Sequence, residues 1–118
     1  MEQHQINIAS CYLAAMIDAE GSIVYQPKKS NRAVVIYNTE LQIINKCIEY
    51  LNYLQIESYI VKTKRQCKFG ESLHLIISNK RNLEKLYSYV NIYMCNRKKT
   101  MFGDMMLSYK YKATINNY

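Results

Sequence analysis

A chain of 118 residues is long enough for a single domain with one core, and we expect residues 1–118 to form one unit. It has no run of 18 apolar residues, which argues against a transmembrane helix, and we expect no membrane partner. Its four cysteines are widely spaced, which disfavours a zinc site or a disulfide framework. The formal net charge of +7 favours a polyanionic partner.

The first half of the chain predicts a helix, a hairpin and a second helix. Residues 7–19 have the apolar pattern of a helix that Gly21 ends. Residues 22–27 and 32–37 are rich in strand-forming side chains and flank a polar loop, as in a β-hairpin. Residues 39–42 form a capping-box pattern, which predicts that the second helix begins there.

The second half repeats this order. Residues 58–67 and 72–78 predict a second hairpin, residues 80–93 a third helix and residues 98–112 a last helix. The order is αββαββα with one helix added or split at the end. It predicts an α+β fold, in which a four-stranded antiparallel sheet carries helices on one face.

Basic residues cluster in the two predicted hairpins, where residues 22–38 and 59–70 contain no acid. Alternate positions from 62 to 68 are basic or amide side chains, and these share one face by the two-residue period of a strand. Positions 24, 26 and 28 are expected on the same surface. A solvated sheet face has a similar pattern and is the alternative. Lysines would contact phosphates and amides would contact base edges. The candidate nucleic-acid-binding residues are Gln26, Lys28, Lys29, Arg32, Lys62, Lys64, Gln66 and Lys68.

Residues 12–23 combine an apolar helix with an acid at its C-terminal end. Their sequence is YLAAMIDAEGSI, with small residues at Ala15 and Ala19 and acids at Asp18 and Glu20. An acid at this end is electrostatically unfavourable, because the helix macrodipole is already negative at its C-terminus. A divalent cation is the natural candidate for a partner of such a carboxylate.

Residues 13–21, LAAMIDAEG, resemble the motif of the LAGLIDADG homing endonuclease family. Ala replaces the first Gly, Met replaces Leu, and Glu replaces the second Asp. The order of elements extends the resemblance over nearly the whole chain. It implies that two motif helices pack side by side through Tyr12, Ala15 and Ala19. With one motif copy, the second helix should come from another copy of the chain, as a homodimer on a roughly palindromic duplex DNA.

The resemblance also implies roles for the acids and the glycine of the motif. Glu20 would bind Mg²⁺ together with phosphate oxygens and act as a catalytic residue in phosphodiester hydrolysis on both strands. Asp18 and Gly21 would support the motif, Asp18 through local hydrogen bonds.

Two further catalytic positions follow from the resemblance. Asn38 matches a place where the family often has Gln or Asn, and helix capping is an equal alternative for it. A basic residue after the third helix often steadies the hydrolytic water or the transition state. Arg97, Lys98 and Lys99 are the candidates, and the sequence does not choose among them.

Some features favour a second hypothesis. Residues 33–37 are apolar on both faces, and Ile76 interrupts the expected polar surface. The chain could therefore be an inactive nucleic-acid-binding module acting on structured RNA, as an intron maturase or a structural subunit of an organellar ribosome. A DNA-binding repressor is a third possibility. Abundant residues with A/T-rich codons predict a mitochondrial, intron-encoded gene, with a phage or bacterial cytoplasm as the alternative.

Overall fold

Four helices and one four-stranded sheet form the part of the chain that the computed structural model describes, residues 2–29, 31–63 and 72–110. The helices are α1 (Gln3–Glu20), α2 (Leu41–Tyr53), α3 (Lys80–Val90) and α4 (Asn96–Ser108). The strands are β1 (Gly21–Gln26), β2 (Asn31–Asn38), β3 (Tyr59–Thr63) and β4 (Ser72–Ser78). The predicted order and fold class are confirmed, with α4 as the added helix. No helix in these ranges is long and apolar enough to cross a membrane.

The sheet is antiparallel throughout, in the order β1-β2-β4-β3, and one of its faces packs against the helices. On β4, Leu73, Leu75 and Ile77 are buried while the residues between them are partly exposed. Residues directly opposite each other on antiparallel strands share a face. Val34 lies opposite Ile77, and Ile36 lies opposite Leu75, so these side chains form the sheet's contribution to the core.

The other face of the sheet, which we call the open face, carries no helix in the described part of the chain. It comprises Ser22, Val24, Gln26, Asn31, Ala33, Val35, Tyr37, Tyr59, Val61, Thr63, Ser72, His74, Ile76 and Ser78. Against the opposite face lies α1, which packs on α2, α3 and the sheet and buries Leu13, Ala14 and Ile17. This central position of α1 fixes where the motif helix ends.

Lys62 lies on the helix-bearing face of the sheet, so its expected place on a shared surface with Val24 and Gln26 is wrong. It stands opposite Leu73, whose side chain is buried, while its neighbour Val61 stands opposite His74. The strand β3 is at the edge of the sheet and is exposed on both sides, so its own sequence does not determine which face each residue takes. Its pairing with β4 does. The candidates Lys64, Gln66 and Lys68 lie outside the described residues.

The predicted capping box at residues 39–42 is wrong by one residue. The N-cap of α2 is Glu40, whose side chain makes no capping hydrogen bond, and the helix begins at Leu41. The Oδ1 atom of Asn38 accepts a hydrogen bond from the backbone N–H of Glu40 at 2.8 Å. This bond turns the chain before the helix and satisfies the backbone N–H of the N-cap residue. Burial of Ile44 and Leu51 then stabilises α2.

Gly21 is required because two backbone segments approach closely, and not because of its conformation. Its φ of −105° is extended, and it is the first residue of β1. A Cβ atom at this position would lie 2.7 Å from the carbonyl oxygen of Ile17 and 2.8 Å from its Cα. Both contacts are shorter than the backbone can accept without moving.

We expect Gly21→Ala to lower the free energy of unfolding by about 1–3 kcal/mol, because the added methyl group forces the end of α1 away from β1. Urea unfolding measures this change. Gly103→Ala in α4 is the matched control, since its Cβ would meet only the end of the Tyr87 side chain, at 3.2 Å. A loss in the control as large as that in Gly21→Ala would contradict this explanation.

Candidate functional site

Glu20, the last residue of α1, is exposed at a small depression in the surface. The depression has a volume of about 270 Å³ and is lined by Glu20 together with Tyr37, Asn38, Thr39 and Ser72. The end of β2 brings Asn38 there, because β2 runs antiparallel to the strand that follows Glu20. Every lining side chain carries an oxygen atom, and one of them is a carboxylate. The predicted residues Glu20 and Asn38 therefore lie at one site.

Lys98 binds the C-terminal end of α1. Its ammonium group donates hydrogen bonds to the carbonyl oxygens of Ile17, Asp18 and Gly21, at 2.9, 2.8 and 2.8 Å. Three acceptors match the three donors of a lysine ammonium. The carbonyl groups at the end of a helix lack partners within it, and a cation there is favoured by the macrodipole. Lys98 thus supplies the positive charge that an acidic helix end lacks.

Asp18 makes the complementary contact with the N-terminal end of α4. Its Oδ2 atom accepts a hydrogen bond from the backbone N–H of Cys95, the N-cap residue of α4, at 2.9 Å. A carboxylate is favourable at this end, where the helix dipole is positive. A hydrogen bond to Asp18 also raises the pKa of the Cys95 thiol. We call the contacts of Asp18 and Lys98 together the α1–α4 clamp.

The other basic candidates lie away from the depression. Arg97 is exposed, and Lys99 lines a separate groove between α3 and α4. Of the three candidates, Lys98 is the one that contacts the motif, but none of the three lines the depression. Which of them takes part in catalysis stays a prediction. The Oδ1 atom of Asn38 accepts from the backbone N–H of Glu40, and Asn38 lines the depression together with Glu20.

The exposed side of α1 is neutral and small. Ala15 and Ala19 are exposed, and Ile8 and Cys11 lie near them on the same side of the helix. Residues 3–17 include no acidic or basic side chain apart from a histidine, which is unusual for a helix face in water. Tyr12 lies beside them by the same helical spacing, and its half-buried ring packs towards α2, with its centroid 5.0 Å from that of Tyr50.

Arg32 lies on the helix-bearing side of the hairpin, opposite Tyr25. Its Nε atom donates to the hydroxyl of Ser108 at 2.7 Å, and its Cζ atom is 4.4 Å from the ring centroid of Tyr109 and 5.6 Å from that of Tyr25. These contacts fasten the end of α4 to the first hairpin. The sequence offers no signal for this role, because 76 residues separate Arg32 from Ser108.

The expected basic surface is wrong for the part of the sheet that is described. The open face, as defined above, contains no lysine, arginine or acid, and its centre is apolar. The cations lie at its margins. Lys28 and Lys29 are exposed in the 3₁₀ turn Pro27–Lys29 between β1 and β2, and Gln26 lies at that end of the face, accepting a hydrogen bond from Asn31 at 3.0 Å.

The described part of one protomer does not by itself supply a complete set of metal ligands. Among the described residues, no three His, Cys, Asp or Glu side chains form a group that could hold a metal ion. In the part of the chain that the structure describes, Glu20 is the carboxylate that lines the depression. A divalent cation here would need oxygen ligands from another molecule.

Comparison with known proteins assigns the fold to a family. A sequence model of the LAGLIDADG-like domain matches residues 8–91. The fold is similar to two crystal structures of the homing endonuclease I-CvuI, one with the I-CreI target and Mg in which the DNA is not cleaved, the other with its own target and Ca. Their TM-scores are 0.67 and 0.65, at 15% sequence identity, covering 92% of this chain and 69% of I-CvuI. A search of curated proteins gives no match.

We expect Lys98→Met to lower the free energy of unfolding by about 1.5–3 kcal/mol, the range for hydrogen bonds to a charged group. The methionine keeps the length of the side chain but removes the hydrogen bonds to the carbonyl oxygens of Ile17 and Asp18 in α1 and of Gly21 in β1. Urea unfolding measures the loss, and Arg97→Met, at the exposed neighbouring position, should change stability by less than about 0.5 kcal/mol. Equal effects of the two substitutions would contradict the clamp.

Proposed function

Because this chain belongs to the LAGLIDADG-like domain family, we propose that it is a homodimeric, Mg²⁺-dependent endonuclease that makes a double-strand break at a specific duplex DNA site. The observation that carries the proposal is the exposed Glu20 carboxylate at the end of a helix held by Lys98, beside the Asn38 amide. The DNA complexes of the structurally similar I-CvuI support duplex DNA as the substrate.

The residues around Glu20 fit a hard divalent cation. Mg²⁺ prefers oxygen ligands and is usually held by one or two carboxylates together with phosphate oxygens. Glu20 of each copy would supply a carboxylate, and oxygen atoms of the scissile phosphates would supply further ligands. When bound, Mg²⁺ would lower the pKa of a coordinated water and stabilise charge on the phosphate. In this proposal Lys98 is a positioning residue, and the Asn38 Nδ2 group donates a hydrogen bond to the phosphate.

The second carboxylate requires a second copy of the chain. In this proposal two α1 helices pack through the neutral side that carries Ile8, Cys11, Ala15 and Ala19. Small side chains allow close approach, and the absence of charge removes the cost of desolvating ions at the contact. An isologous pair around a two-fold axis brings the two equivalent helix ends together, and with them the two Glu20 residues.

The open face favours DNA over structured RNA. The major groove of B-form DNA admits a two-stranded β-ribbon, whereas that of an RNA helix is too narrow for side chains to read. Double-stranded RNA is recognised largely through phosphates and 2′-hydroxyls, which an uncharged, partly apolar face serves poorly. Lys28 and Lys29 at the margin would contact DNA phosphates.

We expect Glu20→Gln to reduce Mg²⁺-dependent cleavage more than about 100-fold, since outer-shell changes at metal sites already cost about 10- to 100-fold. DNA affinity should be retained, because Gln has nearly the same size and α1 keeps its contacts. The measurement is conversion of a supercoiled plasmid that carries a duplex selected by the wild-type protein from a randomised library.

Glu40→Gln is the matched control, since Glu40 is an exposed acid of the neighbouring segment that makes no side-chain capping bond. It should cleave like the wild type. Cleavage that survives Glu20→Gln would show that the mechanism is wrong. Absence of cleavage together with tight, Mg²⁺-independent binding of structured RNA would favour the inactive RNA-binding module over the endonuclease.

A further inference from the structure

The centre of the open face is a continuous apolar patch that no helix of the described chain covers. We define the apolar patch as Val24, Ala33, Val35 and Ile76. Val24 lies opposite Ala33, and Val35 lies opposite Ile76, so the patch crosses three adjacent strands. Val35 is 7% exposed, whereas Val24, Ala33 and Ile76 are partly exposed. These side chains therefore present a firm surface of methyl groups.

The charges around the apolar patch indicate what could cover it. The patch and the rest of the open face are uncharged, while Lys28 and Lys29 are exposed beyond its hairpin end. A duplex groove has the complementary arrangement, with phosphates along its rims and uncharged base edges on its floor. The major groove is about 12 Å wide, enough for strands about 4.8 Å apart.

Two amide side chains border the apolar patch at its hairpin end. The Nδ2 group of Asn31 donates to the Oε1 atom of Gln26 at 3.0 Å, across the strands and next to the pair Val24 and Ala33. Asn and Gln side chains match the donor and acceptor of adenine in the major groove. Apolar side chains match one other feature of that groove, the C5-methyl group of thymine. Both features belong to A·T pairs.

We propose that the apolar patch reads thymine methyl groups in the major groove, so that the target duplex contacted by β1, β2 and β4 is rich in A·T pairs. This inference rests on the proposed DNA-binding function and specifies its target. Recognition comes from burial of methyl groups against methyl groups, with the amide pair beside them on adenine. Phosphate contacts by the marginal lysines supply affinity without sequence preference.

Substitution of deoxyuridine for thymidine tests the inference, because it removes the methyl group and nothing else from the major groove. The probe is the duplex that the wild-type protein selects from a randomised library, with Ca²⁺ in place of Mg²⁺. Each thymidine is replaced in turn and the affinity is measured. We expect a loss of about fourfold at each contacted thymidine, as burial of one methyl-sized group would give, and no loss outside the footprint.

A protein variant shows whether the apolar patch makes the contact. Val24→Thr is nearly isosteric and exchanges one methyl group for a hydroxyl. It should weaken binding of the thymidine duplex by a similar factor, but bind the corresponding deoxyuridine duplex as the wild type does. Ile92→Thr, at a side chain 69% exposed in the turn after α3, is the matched control and should bind both duplexes normally. Thermal unfolding checks that both variants fold.

The outcomes separate this inference from the function on which it rests. Specific duplex binding that is unchanged by deoxyuridine at every position would overturn the thymine contact and leave the endonuclease proposal standing. Absence of any selected duplex would overturn both. Loss of self-association in Val24→Thr, with DNA affinity unchanged, would assign the apolar patch to a second copy of the chain and also overturn the inference.

Discussion

The α1–α4 clamp is the interaction on which the site depends. A helix that ends in Asp18 and Glu20 places two carboxylates where its own dipole is negative, and neither is favourable there alone. Two contacts between the helices compensate for this unfavourable placement. Asp18 binds the positive end of α4, and Lys98, in the first turn of α4, binds the negative end of α1. Glu20 is thereby left as the free acid, on a helix end fixed by four hydrogen bonds.

The junction between α1 and β1 also explains why residue 21 is a glycine and where the sheet begins. Gly21 must pass within van der Waals contact of Ile17 for the chain to leave α1 directly as a strand. That immediate turn sets β1 against β2, and the pairing brings Asn38 to the depression that Glu20 lines. The clamp, the close approach and the paired strands therefore act together to hold one carboxylate and one amide at the surface.

Much of this architecture is readable from the sequence. The order of elements followed from periodicity and turns, and family membership followed from residues 13–21 and is confirmed by the match over residues 8–91. Contacts between distant residues were not readable, because nothing local to Lys98 or Arg32 encodes a partner about 80 residues away. The face of the sheet on which Lys62 lies was also not predictable. The strand β3 is exposed on both sides, so its pairing with β4, and not its own sequence, determines which residues face the helices.

We propose that Glu20 of each protomer acts in cleavage only when it is paired with Glu20 of a second protomer. Mixed dimers of one wild-type and one Glu20→Gln copy, purified through two different affinity tags, test it most directly on a plasmid carrying the selected site. The account predicts that the mixed dimer makes no double-strand break under conditions in which the wild-type dimer does. Double-strand cleavage at the wild-type rate would contradict it, because each copy would then complete its own metal site.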